Sequence, residues 1–277
     1  SSGPEINLNS LENGFAHNVK HINQILEKWN AMLMPGGAHP FMNPEKEMKL
    51  WSHDSNEVYS IYDKIFNCRG HGWTNLQSTH LNLPFTSDAE FAKLHAAIRL
   101  ILPILPPLCA SSPILEGKLT GLLDTRLKYY KENQKQIPSI SGNIIPEPIF
   151  SQRNYEANIY DEIKKDIAPF NPDSILDPIW VNSRGAIARF DRGTIEIRVM
   201  DVQECPAADM AIQSLVIAAL KSLVNEDRIS YDEQIEASTE ILIGIFDDAM
   251  THGMQTEIYS SEYLWFFGVD DFTTAGA

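Results

Sequence analysis

The chain has 277 residues, 43% of them hydrophobic, with 22 Lys and Arg against 37 Asp and Glu for a formal net charge of −15. At about 150 residues per domain this is one large domain or two small ones with apolar content enough for a core, not a disordered segment. So acidic a chain is a poor partner for nucleic acid, because phosphate backbones are bound by Lys and Arg that displace condensed counterions.

Membrane and redox signals point the same way. The longest apolar run, residues 98–109, is interrupted by Arg99, Pro103, Pro106 and Pro107, short of the ~20 apolar residues that a bilayer crossing needs. No membrane partner is expected. Cys68, Cys109 and Cys205 are odd in number and form no CxxC pair, which suits a reducing, cytoplasmic setting. No secretory signal is read in the opening Ser1-Ser2-Gly3-Pro4.

Taken in order, apolar residues at Phe15, Val19, Ile22, Leu26 and Trp29 predict a long amphipathic helix over 11–33, capped by Asn9 or Ser10. Met34-Pro35-Gly36-Gly37 breaks it, and a short helix is expected over 57–66. Residues 76–83 read as a strand with Leu81 and Leu83 on one face and Ser78, His80 and Asn82 on the other. Ser87 and Glu90 match a capping box for a helix running to Cys109, with Pro103, Pro106 and Pro107 distorting its last turns. Further helices are expected over 121–134 and 154–167, the latter inside a loop-rich stretch over 136–178.

Residues 186–190 and 194–201, joined by Asp191-Arg192-Gly193, predict a β-hairpin. Its second strand alternates Ile195, Ile197 and Val199 against Thr194, Glu196 and Arg198. Helices over 207–224, 231–250 and 260–267 complete the pattern. Strands scattered among helices without βαβ alternation predict an α+β fold with an antiparallel sheet.

Two strands thus each carry a polar face. Glu196 and Arg198 are two positions apart on one strand and project the same way, so they can serve a cation and an anionic substrate group side by side. A solvated sheet face with a cross-strand ion pair is the plainer reading. Arg184, Arg189, Arg192 and Arg198 crowd one stretch of an acidic chain, the composition of a phosphate site, although surface arginine explains it equally well. No GxxxxGK[ST] or GxGxxG occurs, so any nucleotide site is built on the sheet.

Asn182-Ser183-Arg184-Gly185-Ala186 followed by Thr194-Ile195-Glu196-Ile197-Arg198-Val199-Met200-Asp201 resembles the ATP and metal segment of the glutamine synthetase fold. With Gln77 to Phe85, Ala110-Ser111-Ser112-Pro113, Glu116-Gly117-Lys118, Thr120-Gly121, Met32-Leu33-Met34-Pro35-Gly36 and Gly72-Trp73-Thr74-Asn75-Leu76, the chain resembles the type 2 glutamate-cysteine ligases over residues 11–224. The resemblance implies a glutamine synthetase-type domain with a concave polar sheet face packed against helices, holding ATP, Mg²⁺ or Mn²⁺, and glutamate. His80 and Glu196 would be metal ligands, and Asn82 would sit near nucleotide or metal. Arg198 and Arg126 would hold the substrate carboxylate or its phosphorylated form. Arg184 and Arg189 would contact ATP phosphates, Arg192 less so.

The implied reaction is ligation of glutamate to an amine such as cysteine. A carboxylate is a poor electrophile, so ATP first converts it to an acyl phosphate that the amine attacks. No residue of the sequence identifies the base that frees the amine. The family's early strands carry a Gly-x-Glu-x-Glu type pattern that is absent here, so residues 1–277 are expected to be a single catalytic domain, N-terminally truncated relative to the family. A catalytically silent nucleotide- or partner-binding remnant is one rival, and a His and carboxylate metallohydrolase using His80 is another. His39 and His71 are expected to stabilise turns, and His53, His95 and His252 to be surface or satisfied histidines. Tyr263-Leu264-Trp265-Phe266-Phe267 is read as core or a homo-oligomer contact, and Cys205 as a small buried residue.

Overall fold

The structure is a computed structural model that describes residues 3–277, and its regular elements start at helix α1 (Leu8–Leu26). The Asn9 amide donates to the Asn7 side chain, so the cap falls two to three residues earlier than the periodicity predicts. The helix also ends earlier: Glu27–Trp29 tightens into a 3₁₀ turn and Asn30 turns left-handed at φ 51°. Helix α2 (Asn56–Phe66) and strand β1 (Ser78–Pro84) follow.

Helix α3 (Asp88–Ile101) is capped by Ser87, which accepts from the Glu90 amide, while the Glu90 carboxylate accepts from the Thr86 amide and hydroxyl. A 3₁₀ turn at Leu102–Ile104 then carries the chain into α4 (Leu105–Cys109), the irregularity that three prolines impose. Helix α5 (Thr125–Glu132) is capped by Asp124. The 154–167 region is helical but contains a π segment, Glu156–Tyr160. After the hairpin strands β2 (Ala186–Arg189) and β3 (Thr194–Asp201) come α6 (Pro206–Val224) and α7 (Thr239–His252). The helix expected over 231–250 is split, because Ser238 starts a new one by accepting from the Ile241 amide.

The α+β expectation holds in its coarse form: helices surround small antiparallel sheets, the largest ordered β1-β3-β2. Asn82 pairs with Glu196 and Ile187 pairs with Glu196 from the other side, which puts those three on one face. Ile195, Ile197, Val199, Ala186 and Ala188 are fully buried and join the core with Phe91, Ile98 and Ile101 of α3. The outer edge of β2 is closed by tyrosines. Tyr155 Oη accepts from the Ala188 amide at 3.3 Å, and Tyr160 Oη donates to the Ala188 carbonyl.

Between the pairs Thr79 with Met200 and Leu81 with Ile197 the register slips by one residue. His80 therefore faces two residues of β3, Arg198 and Val199, a bulge of the kind that re-aims side chains next to sites.

Two helical stretches, Asp88–Cys109 and Pro206–Val224, are 22 and 19 residues long and apolar enough to cross a membrane by length and composition. This corrects the expectation that no segment is long enough, since the 3₁₀ turn keeps the first one continuous through its prolines. It is 83% buried and passes through the core; α6 is 28% buried and lies between α3 and α1. Other expectations need correcting too. His95 is fully buried with neither ring nitrogen hydrogen-bonded, so it is neither on the surface nor satisfied. Cys205, at the N-terminus of α6, is exposed, whereas Cys68 and Cys109 are buried, and all three are free thiols. Tyr263, Leu264 and Phe266 are core, as read.

Candidate active site

On the open face of the sheet, strand alternation and the bulge bring His80, Glu196 and Arg198 into contact. His80 Nδ1 lies 3.0 Å from Glu196 Oε1, and the Ser78 hydroxyl lies 2.8 Å from His80 Nε2. Arg198 Nε is 3.3 Å from the same Glu196 oxygen but is not aligned to hydrogen-bond it, so this donor has no hydrogen-bond partner. Its Nη1 donates to the Asn182 carbonyl at 3.2 Å. The bond from His80, and then the charge of Arg198, hold the Glu196 carboxyl below the usual carboxylate range. Asn82 is exposed beside Glu196 in the register.

Aromatic rings flank the guanidinium. Tyr130 of α5 stands 5.9 Å from the Arg198 carbon, and burial raises its phenol above the ordinary range. Tyr62 of α2 is raised by burial too, with Arg198 opposing the shift. Nothing in the strand pattern marked these rings. The i, i+4 pair Tyr62 and Phe66 on one helix and the place of Trp180 two residues before Asn182 are the signals that could have done so.

The other arginines are not brought to this trio. Arg184 has a side chain 4% exposed and is held by Glu147 through Nε at 2.6 Å and Nη2 at 2.7 Å, with Nη1 on the Ser139 carbonyl and Asn182 Oδ1. In this structure an internal carboxylate occupies the fork that an ATP phosphate would use. Arg189 spends Nε and Nη2 on Asp191 across the hairpin turn at 3.0 and 2.8 Å. Arg192 is exposed nearby.

Arg126 is likewise turned inward, to Asp201, with which it forms a fully buried pair. The Asp201 carboxylate also accepts from the Ser111 amide and the Ser112 hydroxyl, at 2.9 and 2.8 Å. Asp124 completes the group, its carboxyl pushed well up by burial and by Asp201. Gly37 lies so close that a Cβ there would sit 2.3 Å from the Asp201 carboxyl carbon. Separated sequence motifs thus meet at one buried polar network directly behind β3. It fixes the strand end and is not an open carboxylate-binding fork.

Divalent metal is the group that the resemblance assigns to His80 and Glu196. Among the described residues no cluster of three or more His, Cys, Asp or Glu forms, so these residues build no metal cage by themselves. Glu196 Oε1 is shared by His80 and Arg198, and the second carboxylate oxygen has no recorded partner. One carboxylate and one imidazole suit an ion that arrives on nucleotide phosphates, because Mg²⁺ keeps phosphate and water ligands.

A sheet face that sets a carboxylate, an imidazole and a partly exposed guanidinium side by side is one on which anionic substrates can be bound and charge moved. The chain belongs to glutamate-cysteine ligase family 2 (GCS2), whose model matches residues 1–257; the name denotes ligases that join a carboxylate to an amine. The chain is similar to an uncharacterized protein of Archaeoglobus fulgidus, 36% identical over 255 residues that cover 91% of this chain and 65% of that protein. The chain therefore spans about two thirds of that relative's length.

Proposed function

We propose that this protein is an ATP-dependent carboxylate–amine ligase of the glutamate-cysteine ligase kind, acting on the open face of a glutamine synthetase-type sheet. The convergence of Glu196, His80 and Arg198 on that face, in a chain of this family, is the observation that supports it. Glutamate is the proposed carboxylate and cysteine the amine that the family name supplies.

The Arg198 guanidinium, part of a side chain 22% exposed, would bind the substrate carboxylate, positioning it for attack on the terminal phosphorus of ATP. One carboxylate oxygen bonds to that phosphorus as ADP leaves, giving an acyl phosphate. The amine then bonds to the acyl carbon, phosphate departs, and one proton leaves the nitrogen. Arg198 would stabilise charge on the acyl phosphate, since a guanidinium beside a developing oxyanion costs no reorganisation. Mg²⁺ or Mn²⁺ held by Glu196 and His80 would supply neutralisation of phosphate oxygens. Asn82, exposed next to Glu196, would donate to the nucleotide. Arg184, Arg189 and Arg126 would take part only after breaking the pairs they make.

Phosphate release from ATP in the presence of glutamate and an amine tests the proposal. Release that needs both substrates, with the amide detected by mass, supports it. No release with any pair, alongside nucleotide binding by calorimetry, favours a binding role without turnover, which the internal pairing of Arg126 and Arg184 also fits.

A further inference from the structure

The wall that flanks Arg198 is richer in aromatic surface than carboxylate binding requires. Trp180 and Tyr62 lie nearly parallel, their centroids 6.3 Å apart and planes 20° apart. Behind them Trp73 meets Tyr62 edge-on at 5.3 Å and stacks on Phe66 at 5.8 Å. The backing rings hold the front ones in place, yet Trp180 keeps 38% of its surface exposed. It is tied to the site by backbone, since two residues later the Asn182 carbonyl receives Arg198 Nη1.

We infer that this wall receives the substituent of the acceptor amine, and that the ligase prefers an acceptor carrying a planar or aromatic group. The inference rests on the proposed ligation and departs from it in the acceptor, putting an aromatic amine in place of cysteine. A rigid indole, backed by other rings and left partly open, offers large apolar area with little side-chain entropy to lose. Adenine is the other planar group in such a reaction, but ribose and two further phosphates separate it from the transferred phosphoryl group. Rings beside Arg198 border the reacting carboxylate instead. A small thiol side chain would cover little of this aromatic area, whereas a phenyl substituent would cover more.

Phenethylamine and butylamine are the probes, with glutamate and ATP constant. Trp180→Ala should lower the ratio of kcat/KM for phenethylamine to that for butylamine about tenfold, the size of a lost aromatic contact. Trp180→Phe should restore most of that ratio, and Tyr62→Leu should lower it even if Trp180→Ala folds poorly. An unchanged ratio overturns the inference, as does a rise in the KM for ATP with the ratio intact, which would give the wall to adenine. If no amine is ligated, the proposed function fails, but the wall is still tested by saturation-transfer NMR of phenethylamine. Signal lost in Trp180→Ala supports it; equal signal in the two proteins overturns it.

Discussion

Acid should weaken this protein through His95. The ring is fully buried between Phe91, Phe150 and Tyr155 with no hydrogen-bond partner on either nitrogen, and Arg99 and Arg184 add to its reluctance to charge. Burial first, then those two cations, push it from 6.5 down to about 3. The unfolded chain takes up this proton below about pH 6.5 while the folded chain stays neutral, so the contribution is whole above 6.5 and is lost as pH falls toward 3.

Between pH 7 and pH 4.5 the linkage amounts to about 2 to 3 kcal/mol, a sizeable share of a typical domain's stability. Urea unfolding of the protein and of His95→Phe at both pH values measures it. The variant should lose about 2 to 3 kcal/mol less on acidification, all other carboxylates and histidines being common to the pair. It should also be as stable as the parent or more stable at pH 7, because two unpartnered ring nitrogens are gone. Parallel losses in the two proteins, within about 0.5 kcal/mol, would refute the reasoning.

Three further outcomes are expected. Glu196→Gln should cut turnover by at least about tenfold without moving the melting temperature much; and because its carboxyl titrates below its ordinary 4.5, any loss of rate between pH 6 and 5 must come from another group. Wild-type rates in that variant would remove Glu196 from the site. Arg126→Leu leaves Asp201 and Asp124 buried without their cation and should cost about 3 to 5 kcal/mol in chemical denaturation, whereas a loss below about 1 kcal/mol would show that the pair is dispensable. A thiol reagent should modify Cys205 in the native protein and reach Cys68 and Cys109 only on unfolding; burial also pushes the Cys68 thiol up to about 12. Rapid labelling of more than one thiol per native chain counts against this.

How legible the site was depends on which interactions hold each residue. Period-two alternation announced that His80, Asn82, Glu196 and Arg198 leave the core side of their strands, and the structure places them so. The bulge opposite His80 was not legible, because a register slip is settled by what packs on both strands. Arg184 and Arg126 looked as available as Arg198. Their partners, Glu147 and Asp201, lie 37 and 75 residues away in the chain, and a charge that distant leaves no local trace. The aromatic wall was hidden for the same reason, its rings coming from α2, the turn before β1, and the segment before β2.

By itself the sequence determined the helical and strand segments, the polar strand faces, the hairpin and the family, because each is written in periodicity, turn residues or short motifs read within a few positions. Tertiary structure alone decided that β1 lies against β3, that the distant motifs of Gly37, Ser111, Ser112 and Arg126 close on Asp201, and that Arg198, unlike Arg126 and Arg184, keeps a partly exposed side chain on the open face. Local patterns fix which way a side chain points along its own element. Which opposite charge reaches it first is fixed by packing over long separations, and so is whether it is left free to meet a substrate.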